Sequence, residues 1–170
     1  MTLGLRILND KRRWDSPESG EYPWLREGEI PADTLIDFKT LDNTLSIWLI
    51  EDDSSNLDRI LGAFAATRKY FDKVDYILFD FHIIIELDIK VKYEKGNTPD
   101  DNANSTWHRS IIELSAQKVL ALAERLYFEG DKRRKLPPEI KSIITTGIKA
   151  GYINRESLDS NLTNKVGKLL

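Results

Sequence analysis

The pattern of apolar and polar positions predicts strands near the start of the chain and helices towards its end. Leu3, Leu5 and Ile7 alternate with their neighbours, which predicts a short strand inside an otherwise loop-rich segment, residues 1–33, that is interrupted by Pro and Gly. Residues 34–50 are typical of a β-hairpin, because two apolar runs flank the turn residues Asp42-Asn43. These runs are Leu35–Phe38 and Thr44–Ile50.

The clearest helical period lies at residues 56–70. Apolar residues recur there at spacings of three and four, which places them on one face of a helix: Leu57, Ile60, Leu61, Phe64 and Ala65. Ser55 followed by Asp58 has the spacing of a capping box, so we expect the helix to begin there.

Residues 74–94 fit two templates. Apolar side chains alternate over the 17 residues from Ile77 to Tyr93, but such a strand would extend about 56 Å. A domain of this size has a radius of gyration of about 15 Å, so the strand would have to bend. We favour a helix near 72–86, within a helix-rich region 55–86, followed by a strand near 88–94. One bent strand remains the alternative, because aromatic and β-branched residues favour strands.

The last third of the chain, residues 106–170, is predicted to be helical. One helix is expected near 106–129, ended by Gly130, and a second between Pro137-Pro138 and Gly151. A third is expected after the capping residue Asn154. The chain is therefore predicted to be a single α+β domain, 1–170, with a small antiparallel sheet packed with helices and a helical C-terminal third.

Composition narrows the classes of function. The chain has no Cys, which excludes disulfides, thiolate metal sites and a thiol nucleophile. We find no apolar run of about 18 residues and no signal-peptide pattern, so we expect a cytoplasmic protein without membrane contact. Residues 1–105 carry 13 Lys and Arg against 21 Asp and Glu, whereas residues 106–170 carry 12 against 7. The net charge of −3 argues against nucleic acid as a partner, because such binding depends on many Lys and Arg.

Candidate chemistry is sparse. The chain has no phosphate-binding glycine motif, no H-E-x-x-H and no EF-hand spacing, so no cofactor, metal site or catalytic residue is predicted. The alternative is a small metal-dependent or acid–base enzyme that uses His108 with the nearby carboxylates of the Asp100-Asp101 loop. The basic run Asp131–Lys135 is expected to be a loop between helices, and it is weak support for RNA binding through Arg133 and Arg134.

Two central segments, Leu45–Asp53 and Leu57–Thr67, resemble small bacterial proteins, and the size, acidity and lack of Cys are similar to immunity proteins of polymorphic toxin systems such as contact-dependent growth inhibition. This resemblance implies a cytoplasmic inhibitor that forms a heterodimer with its own toxin domain, often a nuclease.

Acidic loops suit a basic toxin, because complementary charge speeds encounter. The expected partner-binding residues are loop carboxylates and one aromatic side chain: Glu51, Asp52, Asp53, Asp100, Asp101 and Trp107. They are expected to form a rim around an apolar anchor of the complex.

Overall fold

A computed structural model describes residues 2–14 and 22–167, and this part of the chain contains one six-stranded antiparallel sheet. The strands, in chain order, are β1 (Leu3–Leu8), β2 (Leu45–Ile50), β3 (Val74–Asp80), β4 (Lys90–Tyr93), β5 (His108–Ile112) and β6 (Asp131–Lys135). Their spatial order is β4-β5-β2-β1-β3-β6. In the register, Leu5 of β1 lies between Trp48 of β2 and Leu78 of β3.

Helices cover both faces of the sheet. They are α1 (Leu57–Ala65), α2 (His82–Glu86), α3 (Asp101–Thr106), α4 (Ala116–Glu129), α5 (Pro137–Lys149) and α6 (Ser160–Gly167). Short 3-10 turns lie at Lys11–Trp14, Ala32–Phe38 and Arg155–Ser157. Helices α1, α3, α5 and α6 pack on one face, and α2, α4 and the first two of these turns pack on the other.

The central strands supply both cores because successive side chains of a strand point to opposite faces. On β3, Tyr76 and Leu78 enter the core under α1 and α5, while Ile77 and Phe79 enter the core under α4. A sheet covered by helices on both faces explains the nearly continuous apolar sequence of β3. The predicted α+β class with an antiparallel sheet is confirmed.

The predicted hairpin at 34–50 is half correct. The turn is confirmed: Asp42 and Asn43 have φ of 50° and 56°, and Leu41 and Thr44 exchange backbone hydrogen bonds across it. The second strand is β2, but Leu35–Phe38 belongs to the 3-10 turn that follows Pro31. Phe38 is buried by folding back on the core, where it contacts Trp14, rather than by strand pairing, whereas Leu35 and Ile36 are exposed.

The predictions for residues 74–94 are partly wrong. The expected helix at 72–86 is replaced by β3 followed by the short α2, so the single bent strand is wrong as well. The side chain of Asp80 accepts a hydrogen bond from the His82 amide at the start of α2, and Asp88, with φ of 48°, follows its end. The predicted strand near 88–94 is confirmed as β4.

The prediction that residues 106–170 are helical missed two strands. The expected helix at 106–129 is β5 followed by α4, and the hydroxyl of Ser115, just before α4, caps it by accepting from the Lys118 amide. The run Asp131–Lys135 is not a loop but the edge strand β6, paired with β3. Gly130 and Gly151 follow α4 and α5 as predicted, and Asn154 caps a 3-10 turn before α6.

Parts of two predictions lie outside the described residues: positions 15–21 of the loop-rich segment 1–33, and positions 168–170 of the C-terminal third that is predicted to be helical. None of the helices in the described ranges is both long and apolar enough to cross a bilayer.

Candidate functional site

The loop from Glu51 to Asn56, between β2 and α1, is held in one conformation by its own side chains. The Asn56 side chain accepts a hydrogen bond from the Glu51 amide and donates one to the Leu49 carbonyl, both at 3.0 Å. Ser55 donates from its hydroxyl to Glu51 Oε2 at 2.8 Å and from its amide to Asp53 Oδ1 at 2.9 Å. The predicted capping box is therefore not formed, because Ser55 bonds backwards into the loop. The carboxylates of Glu51 and Asp53 are exposed but fixed in place.

Trp107 joins this loop to the end of α3. Its indole Nε1 donates to Glu51 Oε1 at 3.1 Å, and its carbonyl accepts from the Leu49 amide at 2.9 Å. The ring is half-buried. Two of the predicted site residues, distant in sequence, are thus in direct contact.

Asp100 is buried beneath the surface, with an exposed fraction of 1 %. Its Oδ1 accepts from the amides of Asn102 and Ala103, so it caps α3. The same carboxylate accepts from Arg59 Nε at 2.6 Å and from Arg59 Nη2 at 3.0 Å. The expectation that Asp100 lies on an exposed rim is wrong, because its carboxylate is fully used within the fold.

Arg59 is the organising residue of this region, and sequence reasoning did not identify it. Its guanidinium carbon lies 4.5 Å from the ring centroid of Tyr152 and 5.4 Å from that of Trp107. The hydrogen bond to Asp100 raises the pKa of Arg59, and burial raises the pKa of Tyr152. Arg59, Tyr152 and Asp101 line a shallow cleft of about 420 Å³.

The exposed charges of this region are mainly negative. Asp101 is exposed and pairs with Lys95 at 2.8 Å. Glu51 and Asp53 have no ion pair within the described part of the chain. The pKa of Asp53 is lowered by its hydrogen bond from Ser55, so it is ionised at neutral pH. We call the exposed carboxylates of this region, Glu51, Asp52, Asp53 and Asp101, together with the half-buried Trp107, the acidic surface.

The contacts of His108 are with other groups than these carboxylates. Its Nδ1 bonds the Glu94 carbonyl at 2.7 Å, and its ring packs edge-on against Trp48 with centroids 5.0 Å apart. It lines a cavity to whose wall the described residues contribute no Asp or Glu. No cluster of three potential metal ligands occurs among residues 2–14 and 22–167. These contacts offer no carboxylate partner for the proposed acid–base role of His108.

Basic side chains of the run Asp131–Lys135 form ion pairs with carboxylates of the same chain. Arg133 pairs with Asp131 at 2.6 Å, Arg134 with the buried Asp75 at 2.6 Å, and Lys135 with Asp58 at 3.1 Å. A phosphate would have to compete with these carboxylates, so the geometry gives RNA binding no further support.

The sequence therefore indicated the acidic loop and Trp107 but not the group that connects them. Arg59 is one of two adjacent charged residues, with Asp58, in an amphipathic helix, and Tyr152 follows a helix-ending Gly. The one local signal was Asp100 directly before Asp101-Asn102, a sequence suited to a helix N-cap. A cap at that position predicts a buried Asp but not its Arg partner.

Comparisons with family models, with curated proteins and with solved structures find no match to this chain. The interpretation of its function accordingly depends on the residues and contacts described above.

Proposed function

We propose that this protein is a non-catalytic, immunity-type inhibitor that binds a basic toxin domain, such as a nuclease, through the acidic surface. The main support is that the carboxylates of Glu51 and Asp53 are exposed, hydrogen-bonded into a fixed loop and not paired with any cation of the described residues. The carboxylates of Asp75 and Asp100, by contrast, are buried and paired with Arg134 and Arg59.

Preorganisation makes this surface suitable for tight binding. Immobilising a long, mobile side chain on binding costs about 0.5–1.5 kcal/mol, and hydrogen bonds that already hold Glu51 and Asp53 reduce that cost. Trp107, fixed between Glu51 and the Arg59 guanidinium, presents an aromatic side chain of the type that often dominates binding energy. The surface thus combines an anchor with surrounding charge.

Opposite charge on the partner would act mainly on the rate of association. Carboxylates on one surface and Lys or Arg on the other steer the encounter, and salt screens that attraction over about 10 Å. We therefore expect a one-to-one complex whose association rate falls steeply with ionic strength.

The test uses the full chain and the toxin domain encoded by the adjacent reading frame, with association followed by stopped-flow fluorescence. The double variant Glu51→Gln/Asp53→Asn keeps hydrogen-bond acceptors at both positions but removes two charges. At low salt we expect it to associate about tenfold more slowly, since charge steering is lost. The matched control, Glu27→Gln/Asp33→Asn, removes two exposed charges elsewhere and should associate at nearly the wild-type rate.

Failure of the wild-type chain to form a complex with the adjacent gene product would contradict the proposal. Equal slowing of the two double variants would also contradict it, because the effect would then come from net charge rather than from the acidic surface.

A further inference from the structure

A cavity of about 310 Å³ lies over the sheet where β1, β2 and β5 are adjacent. Its lining shares no residue with the acidic surface. Trp48 and His108 form its buried part, and Phe64, Ile7, Ser46, Thr67, Asn97 and Thr98 form much of the remainder. A volume of this size is at the lower end of the range found for small-molecule sites.

Two ring nitrogens of residues that line the cavity, Trp48 Nε1 and His108 Nε2, have no hydrogen-bond partner among the described residues. Yet the two side chains are only 5 % and 6 % exposed. The described residues contain one fully buried and unpartnered side-chain nitrogen or oxygen, which belongs to Arg13. The nitrogens of Trp48 and His108 must therefore be accessible, and the cavity is the space that both side chains line.

The two nitrogens are chemically complementary. The Glu94 carbonyl can only accept, so Nδ1 of His108 is the protonated nitrogen of the neutral ring, and Nε2 is left as an acceptor. The indole Nε1–H of Trp48 is a donor. The rings are in edge-to-face contact with centroids 5.0 Å apart, so the donor and the acceptor belong to two rings that touch.

We infer that this cavity binds a small molecule that carries a carboxamide or lactam edge on a flat apolar body. The carbonyl oxygen of such a ligand accepts from Trp48 Nε1, and its N–H donates to His108 Nε2. Phe64 and Ile7 supply apolar walls for the body. The hydroxyl of Thr67 is already bonded to the Phe64 carbonyl and that of Thr98 to Asn104, so neither competes for this edge. The inference is independent of the acidic surface.

The test uses the isotopically labelled full chain and three probes of matched shape: benzamide, methyl benzoate and toluene. Benzamide offers both a donor and an acceptor, methyl benzoate an acceptor alone, and toluene neither. We expect benzamide to bind with a dissociation constant of about 1–10 mM, as is usual for a ligand of this size. It should shift the Trp48 indole N–H and His108 Nε2 resonances and bind at least fivefold more tightly than methyl benzoate or toluene.

Variants separate the two contacts. His108→Phe removes the acceptor and should weaken benzamide about tenfold but leave methyl benzoate unchanged, whereas Trp48→Phe should weaken both. His82→Phe, at an exposed His, is the matched control and should bind as the wild type does. If a core variant fails to fold, Ser46→Leu at the exposed part of the wall should block benzamide while preserving the core.

Equal affinity for the three probes would overturn the inference, since it would show a non-specific apolar cleft. The absence of any shift at Trp48 and His108 with 50 mM benzamide, about five times the upper expected dissociation constant, would overturn it as well, since water alone would then occupy the cavity.

Discussion

Asp100 and Asp101 are adjacent in sequence, but their carboxylates lie in different environments. Asp100 is buried, caps α3 and forms two hydrogen bonds with Arg59. Asp101 is exposed, and its partner Lys95 is exposed too. Burial decides how much each charge contributes to stability, because removing one partner of a desolvated pair leaves the other uncompensated.

We therefore expect Asp100→Ala to lower the free energy of unfolding by about 2–4 kcal/mol, through loss of the cap and of the partner of Arg59. Asp101→Ala is the matched control and should cost less than about 1 kcal/mol. Urea denaturation followed by circular dichroism measures both. Similar losses for the two variants would show that the Arg59–Asp100 pair has no special role.

Asp75 predicts a pH dependence of stability. Burial by itself raises the pKa of this carboxyl, but its contacts with Arg134, the Lys11 amide and Lys73 outweigh burial, and the net pKa lies below the ordinary 3.8. The stabilisation is therefore present above the pKa of the unfolded chain and is lost as the pH falls through the lower pKa of the folded protein. Urea unfolding between pH 6 and pH 2 should show a steeper loss of stability for the wild type than for Asp75→Asn. Parallel curves would contradict this assignment.

At the scale of elements, helices α1 and α5 pack closely because α1 has Gly at the contact. A Cβ on Gly62 would lie 2.6 Å from Ile143 Cγ2, well inside van der Waals contact. Gly within a helix lowers helix stability by about 1 kcal/mol relative to Ala. Gly62 is therefore unfavourable for α1 taken by itself. The close approach of α5 to α1 is the compensating gain.

Gly62→Ala should accordingly destabilise the protein by about 1–3 kcal/mol despite its better helix propensity. The double variant Gly62→Ala/Ile143→Ala should lose less than the sum of the two single variants, because Ile143→Ala removes the atom that clashes. A double-mutant cycle in urea gives the interaction energy. Strict additivity would mean that the two helices adjust without strain.

The elements predicted well are those that bury one face, and the elements missed are those with another burial pattern. Helix α1 has a single apolar stripe, so the helical spacing of its apolar residues can be recognised in the sequence. Strand β3 is buried on both faces between β1 and β6, which makes its apolar run fit a helix as well as a strand. Strand β6 is an edge strand of charged residues, and its own sequence does not predict a strand. Its hydrogen bonds to β3 and the Arg134–Asp75 pair explain why it forms one.

At the scale of the whole molecule, one sheet separates two hydrophobic cores. Alternate residues of β3 contribute to each, so neither core can form without the central strands. Cores that share their strands should unfold together, as expected for a single domain of this size.

We expect one cooperative transition in thermal and urea unfolding, with the same midpoint by far-ultraviolet and near-ultraviolet circular dichroism. Leu162 in α6 and Leu122 in α4 are buried on opposite faces of the sheet. Leu162→Ala and Leu122→Ala should each lower the free energy of unfolding measured from that single transition by about 2–4 kcal/mol. Separate transitions, or a shift seen by only one probe, would show that the two cores are independent.

The order of apolar and polar residues by itself determined the α+β class, the Asp42-Asn43 turn, α1, the ends of α4 and α5, and an acidic loop next to β2, because each depends on local periods, caps and charges. Tertiary structure alone decided that Asp100 is buried, that Arg59 joins it to Trp107 and Tyr152, and that Trp48 and His108 share a cavity. The residues in those contacts are as much as 93 positions apart, as Arg59 and Tyr152 are, or lie on neighbouring strands, and strand pairing and helix packing, rather than any local pattern, bring them together.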